Sequence, residues 1–316
     1  MRLLIAGWQG QIGSALVSLV PRRADVKSFA VGRPARDLCE QPTLHRAMSN
    51  AAPDVVISAA AYTDVDAAET DEAEAWALNC DGPRMLAELA AERDIPIIHL
   101  SSDYVFDGLG ERAFREDDSP SPGTVYGASK LAGEQAVAAV APKHAILRTS
   151  WVFSASGSRF VSAIVERARA GEPIEAVNDR VGSPTYAPHL AAAIIDLAGR
   201  LTAPEPKPGS GGETQGASAA FGTFHAAGSG TATWFDMAQA FCGALADAEK
   251  ASAAPPVVRP VASAPTSMGA VRPVNARLDC ARLAEMHGIS LPRWQEGVRD
   301  CVAELMRTCA SPSAAE

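Results

Sequence analysis

The sequence predicts a doubly wound α/β fold: a Rossmann-type parallel sheet with helices on both faces, followed by a smaller, partly discontinuous C-terminal unit. Three observations carry that prediction. Short apolar runs alternate with helix-period segments through the first half of the chain. The runs are continuous rather than alternately apolar and polar, as strands buried on both faces are. The first run ends in glycine and leads through Gly10 and Gly13 into a helix-period segment, the order of a strand, a turn and a helix.

Each element follows from the same reading. Residues 3–6 form a strand, 12–20 a helix, 26–31 a strand, 42–51 a helix and 55–60 a buried strand. Residues 68–79 and 82–92 read as helices, 95–101 as a strand, 126–140 as a helix, and 144–148 as a strand ending in Thr149-Ser150. Beyond it, 159–170 is helical, 172–188 is a loop rich in turn residues, and 191–201 is helical. Residues 202–220 hold Pro, Gly, Ser and Ala with almost no large apolar side chain, so a flexible surface insertion is expected there. A strand over 221–227 follows, then a helix over 234–246 with Thr233 as N-cap, an Ala/Pro-rich loop over about 251–266, and a closing helix over 294–307. At roughly 150 residues per domain the chain makes two. Residues 1–151 are expected to form the first, and 152–316 mainly the second, with some segments returning to the first domain.

Composition excludes several classes. With 47% apolar and 21% charged residues the chain is globular, and it is long enough to need no disulfide framework. A net charge of -9 suits neither nucleic acid nor an anionic membrane surface, so neither is expected as a partner. The six cysteines are scattered without a CxxC and read as reduced thiols. No apolar stretch approaches a membrane span, and the run at 3–6 is too short for a secretion signal. A cytoplasmic protein is expected. No histidine stands at metal-ligand spacing and no metal site is assigned; His99 and His225, flanked by apolar residues, read as packed core histidines.

Two constellations carry chemistry. Gly7-Trp8-Gln9-Gly10-Gln11-Ile12-Gly13 lets a backbone without Cβ atoms approach a pyrophosphate while helix amides point at it. The bare pattern also fits a structural turn; its place in the first βαβ unit favours a dinucleotide. The second strand ends in Val31-Gly32-Arg33 with no acid for a 2′-hydroxyl, and Arg33 would pair with a 2′-phosphate, which favours NADPH with NADH as the alternative. A solvated surface arginine is the plainer reading. In Tyr126-Gly127-Ala128-Ser129-Lys130, spacing puts phenol and ammonium on one helix face, where the cation would draw the phenol pKa down toward working pH for proton transfer to a carbonyl oxygen. Ser101-Ser102-Asp103-Tyr104 follows a strand whose carboxyl end is where such folds bind ligands, although a Ser-Asp turn has the same composition.

With these motifs the sequence resembles the extended short-chain dehydrogenase/reductase superfamily and, within it, the dTDP-4-dehydrorhamnose reductase family. Further carriers are Ala59-Ala60-Ala61-Tyr62-Thr63 with Val65, Asp66 and Glu69; residues 101–108 and 126–134; Arg148-Thr149-Ser150-Trp151-Val152-Phe153; Asp179-Arg180-Val181-Gly182-Ser183-Pro184-Thr185; and Arg272-Pro273-Val274-Asn275-Ala276-Arg277-Leu278. The resemblance implies reduction of the C4 keto group of a nucleotide-linked 4-keto-6-deoxysugar by hydride from NAD(P)H. It implies Tyr126 as proton donor, Lys130 as the residue orienting the nicotinamide ribose, and Ser102 as hydrogen-bond partner of the keto oxygen. Gly7, Gly10, Gln11, Ile12, Gly13, Arg33, Asp37, Leu38, Ala59, Ala60 and Ala61 would line the cofactor; Thr63, Asp103, Tyr104 and Trp151 the sugar; Asn275 and Arg277 the nucleotide side. Ala59 to Ala61 also suit tight strand packing, and Trp151 a core position. A homodimer is compatible with the resemblance. The sequence departs from the family pattern at Ala276, where serine is usual, and at Ser154, where glycine is frequent. Relatives of the same superfamily offer three other readings. A dehydratase would carry an acid where Tyr104 stands, and an epimerase generally lacks the 148–153 and 272–278 segments in this form. A regulatory subunit like methionine adenosyltransferase β would not need Ser102, Tyr126 and Lys130 intact.

Overall fold

A computed structural model describes residues 1–32, 40–203, 220–249, 256–264 and 269–310. The chain begins β1 (Arg2–Ala6), α1 (Gln11–Leu19), β2 (Lys27–Val31), α2 (Gln41–Ala51) and β3 (Val55–Ser58). It continues α3 (Val65–Ala68), α4 (Glu72–Trp76), α5 (Gly82–Ala91), β4 (Ile97–Ser102), α6 (Val125–Val140), β5 (His144–Thr149) and β6 (Val152–Phe153). Then come α7 (Arg159–Ala170), β7 (Ile174–Val177), β8 (Val181–Gly182), β9 (Thr185–Tyr186), α8 (Ala187–Leu201), β10 (Gly222–His225) and β11 (Ala232–Thr233). The chain closes with α9 (Trp234–Glu249), β12 (Val258–Val261), β13 (Asn275–Ala276), α10 (Ala281–His287) and α11 (Trp294–Ala310).

Six strands form one sheet in the order β10-β5-β4-β3-β1-β2, with every pairing parallel. Successive side chains of β1 point to opposite faces. Leu3 and Ile5 pack with Leu16 of α1 and Leu190 and Ile194 of α8. Leu4 and Ala6 pack with Leu44 and Met48 of α2, Leu86 of α5 and Val137 of α6. Both faces are therefore apolar, which is why the strand sequences do not alternate. The doubly wound fold expected from sequence is the one observed. From β1 the chain moves outward to β2 on one side and returns to β3 on the other, opening a crevice at the carboxyl ends of these strands. A further cluster, including Phe153, Val161, Ile164, Phe241 and Val298, joins α7, α9 and α11. Fully burying one such side chain contributes about 1.5–3 kcal/mol.

The structure corrects several expected elements. The two helices over 68–79 and 82–92 become a path from α4 through a π turn at Ala77–Asp81 into α5. Pro83 lacks an amide hydrogen and its ring would meet the carbonyl one turn earlier, so widening the helix lets it continue. The 172–188 loop contains β7, β8 and β9, and α8 starts at Ala187 because proline is accepted in a first helical turn. Strand β12 lies in the Ala/Pro stretch and pairs with β7; Pro260 is tolerated in such a two-strand edge pairing. Helix α10 was not foreseen at all. Thr233 does cap α9, accepting from the Asp236 amide at 3.0 Å while the Asp236 carboxylate accepts from the Thr233 amide at 2.8 Å. Most of the expected insertion over 202–220 lies outside the described residues.

Candidate active site

A cavity of about 620 Å³ occupies the crevice at the carboxyl end of the sheet. One end is built by the glycine turn. Gly7 has φ +84°, and a Cβ there would lie 2.4 Å from the Ala60 amide nitrogen; one on Gly13 would lie 2.1 Å from the Gly7 carbonyl oxygen. These two glycines clamp the turn between β1, β3 and α1. Gly10 differs: a Cβ there meets only the Gly7 oxygen at 3.6 Å, so this is where a ligand can come against bare backbone. It is also the N-cap of α1 and has no side chain to accept from the first-turn amides. Gly10, Gln11 and Ile12 line the cavity with Ala59, Ala60, Ala61 and Thr63, while Gly13 supports them from behind. Uncapped amides at a helix N-terminus, with a backbone cradle before them, suit the diphosphate of a dinucleotide. Arg33, Asp37 and Leu38 lie outside the described residues.

The other end is built by β4, β5 and α6. Ser102, Asp103, Tyr104, Tyr126, Lys130 and Trp151 all face the same cavity as the glycine turn. Ser102 ends β4; its hydroxyl donates to Asp103 Oδ1 at 3.1 Å and faces the same cavity as the Tyr126 phenol. Tyr104 packs edge-on against Tyr126, ring centroids 5.3 Å apart. Thr124 caps α6 by accepting from the Gly127 amide at 3.0 Å, and Gly127 permits contact where a Cβ would lie 2.1 Å from the Tyr104 carbonyl oxygen. The start of the catalytic helix is thereby pinned to the loop after β4.

The electrostatics correct one expectation. Tyr126 is not drawn below its ordinary value. Burial raises the phenol, opposed only by the Ser102 side chain. Lys130 instead donates to the Leu100 carbonyl at 2.6 Å, and burial lowers its ammonium to about 8 against the raising charge of Glu134. Burial also raises Asp103 to about 7; its Oδ2 is buried without a hydrogen-bond partner. The packed core reading of His99 and His225 holds. Burial lowers both, with help from Lys130 for His99 and from Arg148 for His225.

Trp151 forms a wall of the cavity in a strained way. Its φ is +44°, a left-handed conformation that costs a non-glycine residue about 1–2 kcal/mol. The indole stacks on Trp234 at 4.0 Å, and a Cβ on Gly182 would lie 2.4 Å from it. Trp151 is thus held between a ring and a bare backbone. Asn275 and Arg277 are not brought to this cavity. The Asn275 amide donates to the carbonyls of Leu109 and Arg112 at 3.3 and 2.7 Å, and its oxygen accepts from Arg277 Nε at 2.8 Å. Both brace the loop after β4 rather than line the cavity.

Three residues near the site were given no role by the sequence reading. Asn79 on the π turn accepts from the Tyr62 amide at 2.9 Å and donates to Ser129 Oγ at 3.0 Å, tying the loop after β3 to α6. Its signal was local: a buried-type amide just ahead of a helical proline. Glu134 and Arg148 form a buried ion pair under the site. Both residues were visible in the sequence; their pairing across α6 and β5 was not.

The sequence model of the RmlD substrate binding domain matches residues 1–307. The chain belongs to the dTDP-4-dehydrorhamnose reductase family. A curated dTDP-4-dehydrorhamnose reductase from Sinorhizobium fredii is 39% identical over 306 residues, 97% of this chain and 98% of the relative. Among solved structures, a dTDP-4-dehydrorhamnose reductase from Clostridium acetobutylicum has a TM-score of 0.83 at 27% identity, covering 97% of this chain and 100% of that one. Another, from Bacillus anthracis in complex with NADP, has a TM-score of 0.80 at 29% identity, covering 96% and 98%. As a member of the reductase family, the chain keeps Ser102, Tyr126 and Lys130 together in one cavity.

Proposed function

We propose that the protein reduces the C4 keto group of a nucleotide-linked 4-keto-6-deoxysugar, converting dTDP-4-dehydro-L-rhamnose to dTDP-L-rhamnose with NADPH, NADH being the alternative donor. The observation that carries this reading is that Ser102, Tyr126 and Lys130 face one cavity together with an uncapped glycine turn. The near full-length likeness to curated reductases supports the same reaction. The scattered free thiols, Cys80, Cys242, Cys280 and Cys301 among the described residues, suit work in the cytoplasm.

NADPH, when bound, supplies the hydride. Ser102 and Tyr126 hold the keto oxygen by hydrogen bonds, which strengthen as hydride reaches C4 and negative charge gathers on that oxygen. The Tyr126 proton passes to it, completing a secondary alcohol. The raised phenol value has a use here: a donor must be fully protonated before the reaction, and burial guarantees that at neutral pH. The phenolate left behind is stabilised by Ser102 and by the Lys130 charge one turn away, and takes its next proton from water. Trp151 and Tyr104 wall the site and limit water at the reacting centre. The test mixes the protein with NADPH and dTDP-4-dehydro-L-rhamnose and follows absorbance of the reduced nicotinamide. Turnover is expected, with at least a hundredfold loss in Tyr126→Phe. Equal rates in the two proteins would defeat the assignment.

A further inference from the structure

Helix α6 carries Tyr126, Lys130 and Glu134 at successive four-residue steps, so the three share a face. The Glu134 carboxylate is almost fully buried and completely engaged by other elements. Ser101 Oγ donates to Oε1 at 2.5 Å; Arg148 donates through Nε to Oε1 at 2.9 Å and through a terminal nitrogen to Oε2 at 2.7 Å. Ser101 and Arg148 are partners in the β4–β5 ladder, and the Arg148 guanidinium lies over the Phe106 ring at 5.0 Å. One carboxylate therefore fixes α6 to the two strands that present Ser102 and the floor of the cavity. Burying an ion pair is expensive, and a well-packed apolar pair would serve packing as well. The charge itself has a beneficiary on the same helix.

We propose that Glu134 is a positioning residue that acts through Lys130: it supplies the negative charge that keeps the buried lysine an ammonium, while Arg148 and Ser101 fix where that charge sits. The proposal rests on the reading in which Lys130 works as a cation. Lys130 is itself 2% exposed, and buried lysines without an opposite charge have been found to lose their protons near pH 5–6. Glu134 opposes that loss and leaves Lys130 at about 8. The other groups around Lys130 do not take this role. His99 on β4 is held neutral, Tyr126 on α6 and Tyr104 after β4 are neutral phenols, and Asp103 titrates near 7 with its own hydrogen bond to Ser102. Arg148 on β5 is a cation, and His225 on β10 beyond it is neutral. The π turn presents Asn79 to α6, with Cys80 and Asp81 alongside, and Glu69 binds the Val125 amide at the helix start.

The chain has five lysines, so carbon-13 labelling of lysine side chains in the full-length protein gives few enough NMR signals to titrate each, with Lys130→Arg identifying the one that matters. Wild-type Lys130 is expected to titrate near 8. Glu134→Gln should lower that midpoint by about one pH unit or more, and the alkaline limb of kcat should move with it. Arg148→Lys loses the two-pronged geometry but retains the cation; it should lower stability and leave the Lys130 midpoint in place. A Lys130 midpoint unchanged in Glu134→Gln, an equal drop in Arg148→Lys, or an alkaline limb that ignores the midpoint would overturn the proposal. If Glu134→Gln does not fold, the wild-type protein decides: a midpoint below about 6 means that Glu134 does not sustain the charge. The NMR titration needs no turnover, so absence of reductase activity would defeat the functional reading without touching the Glu134–Lys130 result.

Discussion

Replacing Asp103 by asparagine should make the protein more stable at alkaline pH. Asp103 is 4% exposed; one carboxyl oxygen accepts from Ser102 and the other has no partner. Burial raises the group from its ordinary 3.8 to about 7. Below pH 4 folded and unfolded chains both hold the proton, and the group contributes no difference. Between pH 4 and 7 the unfolded chain has released the proton and the folded chain has not, so stability falls as pH rises. At about 1.4 kcal/mol per pH unit the loss approaches about 4 kcal/mol by pH 8. Asparagine matches the shape, can still accept from Ser102 and carries no charge. Urea unfolding midpoints of wild type and Asp103→Asn, measured from pH 4 to 9, should therefore diverge as pH rises, with the variant the more stable at pH 8. A difference that stays flat across this range, or grows toward acid, would refute the reasoning.

The remaining predictions concern packing around the cavity. Gly13→Ala places a Cβ against the Gly7 oxygen at 2.1 Å and should cost about 1–3 kcal/mol of stability together with most of the NADPH affinity, read by urea unfolding and by nucleotide fluorescence titration. Trp234→Ala removes the stack on Trp151, worth about 0.5–1.5 kcal/mol beyond area burial. Steady-state kinetics should show a KM for the sugar nucleotide raised about two- to tenfold, with NADPH affinity unchanged. Asn79→Ala leaves the part-buried Tyr62 amide without its partner and removes the bond that the buried Ser129 oxygen accepts, and should cost about 1–3 kcal/mol, visible as a lower thermal midpoint.

Much of this architecture was legible before the structure because its causes are local. The runs at β1, β3 and β4 are apolar throughout since both faces of the sheet are covered, and Gly7, Gly10 and Gly13 mark a turn where Cβ atoms would collide or block a ligand. Ser102 and the Tyr126–Lys130 pair could be joined because strand ends and one helix face converge at the switch point. What stayed hidden depends on distant partners. Strands β6, β8, β9, β11 and β13 have two residues each and exist only through pairing. The expected loop ran to Pro188, which sits in the first turn of α8, and the gap expected between the helices over 68–79 and 82–92 is bridged by a π turn just before Pro83. The Lys130 charge was expected to draw the Tyr126 phenol down, but burial holds the phenol above its ordinary value, and the ammonium itself donates to the Leu100 carbonyl.

The central claim is that hydride arrives at C4 of the sugar while Tyr126 delivers the proton. Its most direct test supplies NADPH deuterated at the transferable position and examines the sugar nucleotide by NMR after complete conversion. The account predicts one deuterium on C4 of the 6-deoxyhexose, with stoichiometric oxidation of the nicotinamide. Deuterium elsewhere on the ring, or a changed sugar with no net oxidation of NADPH, would contradict it.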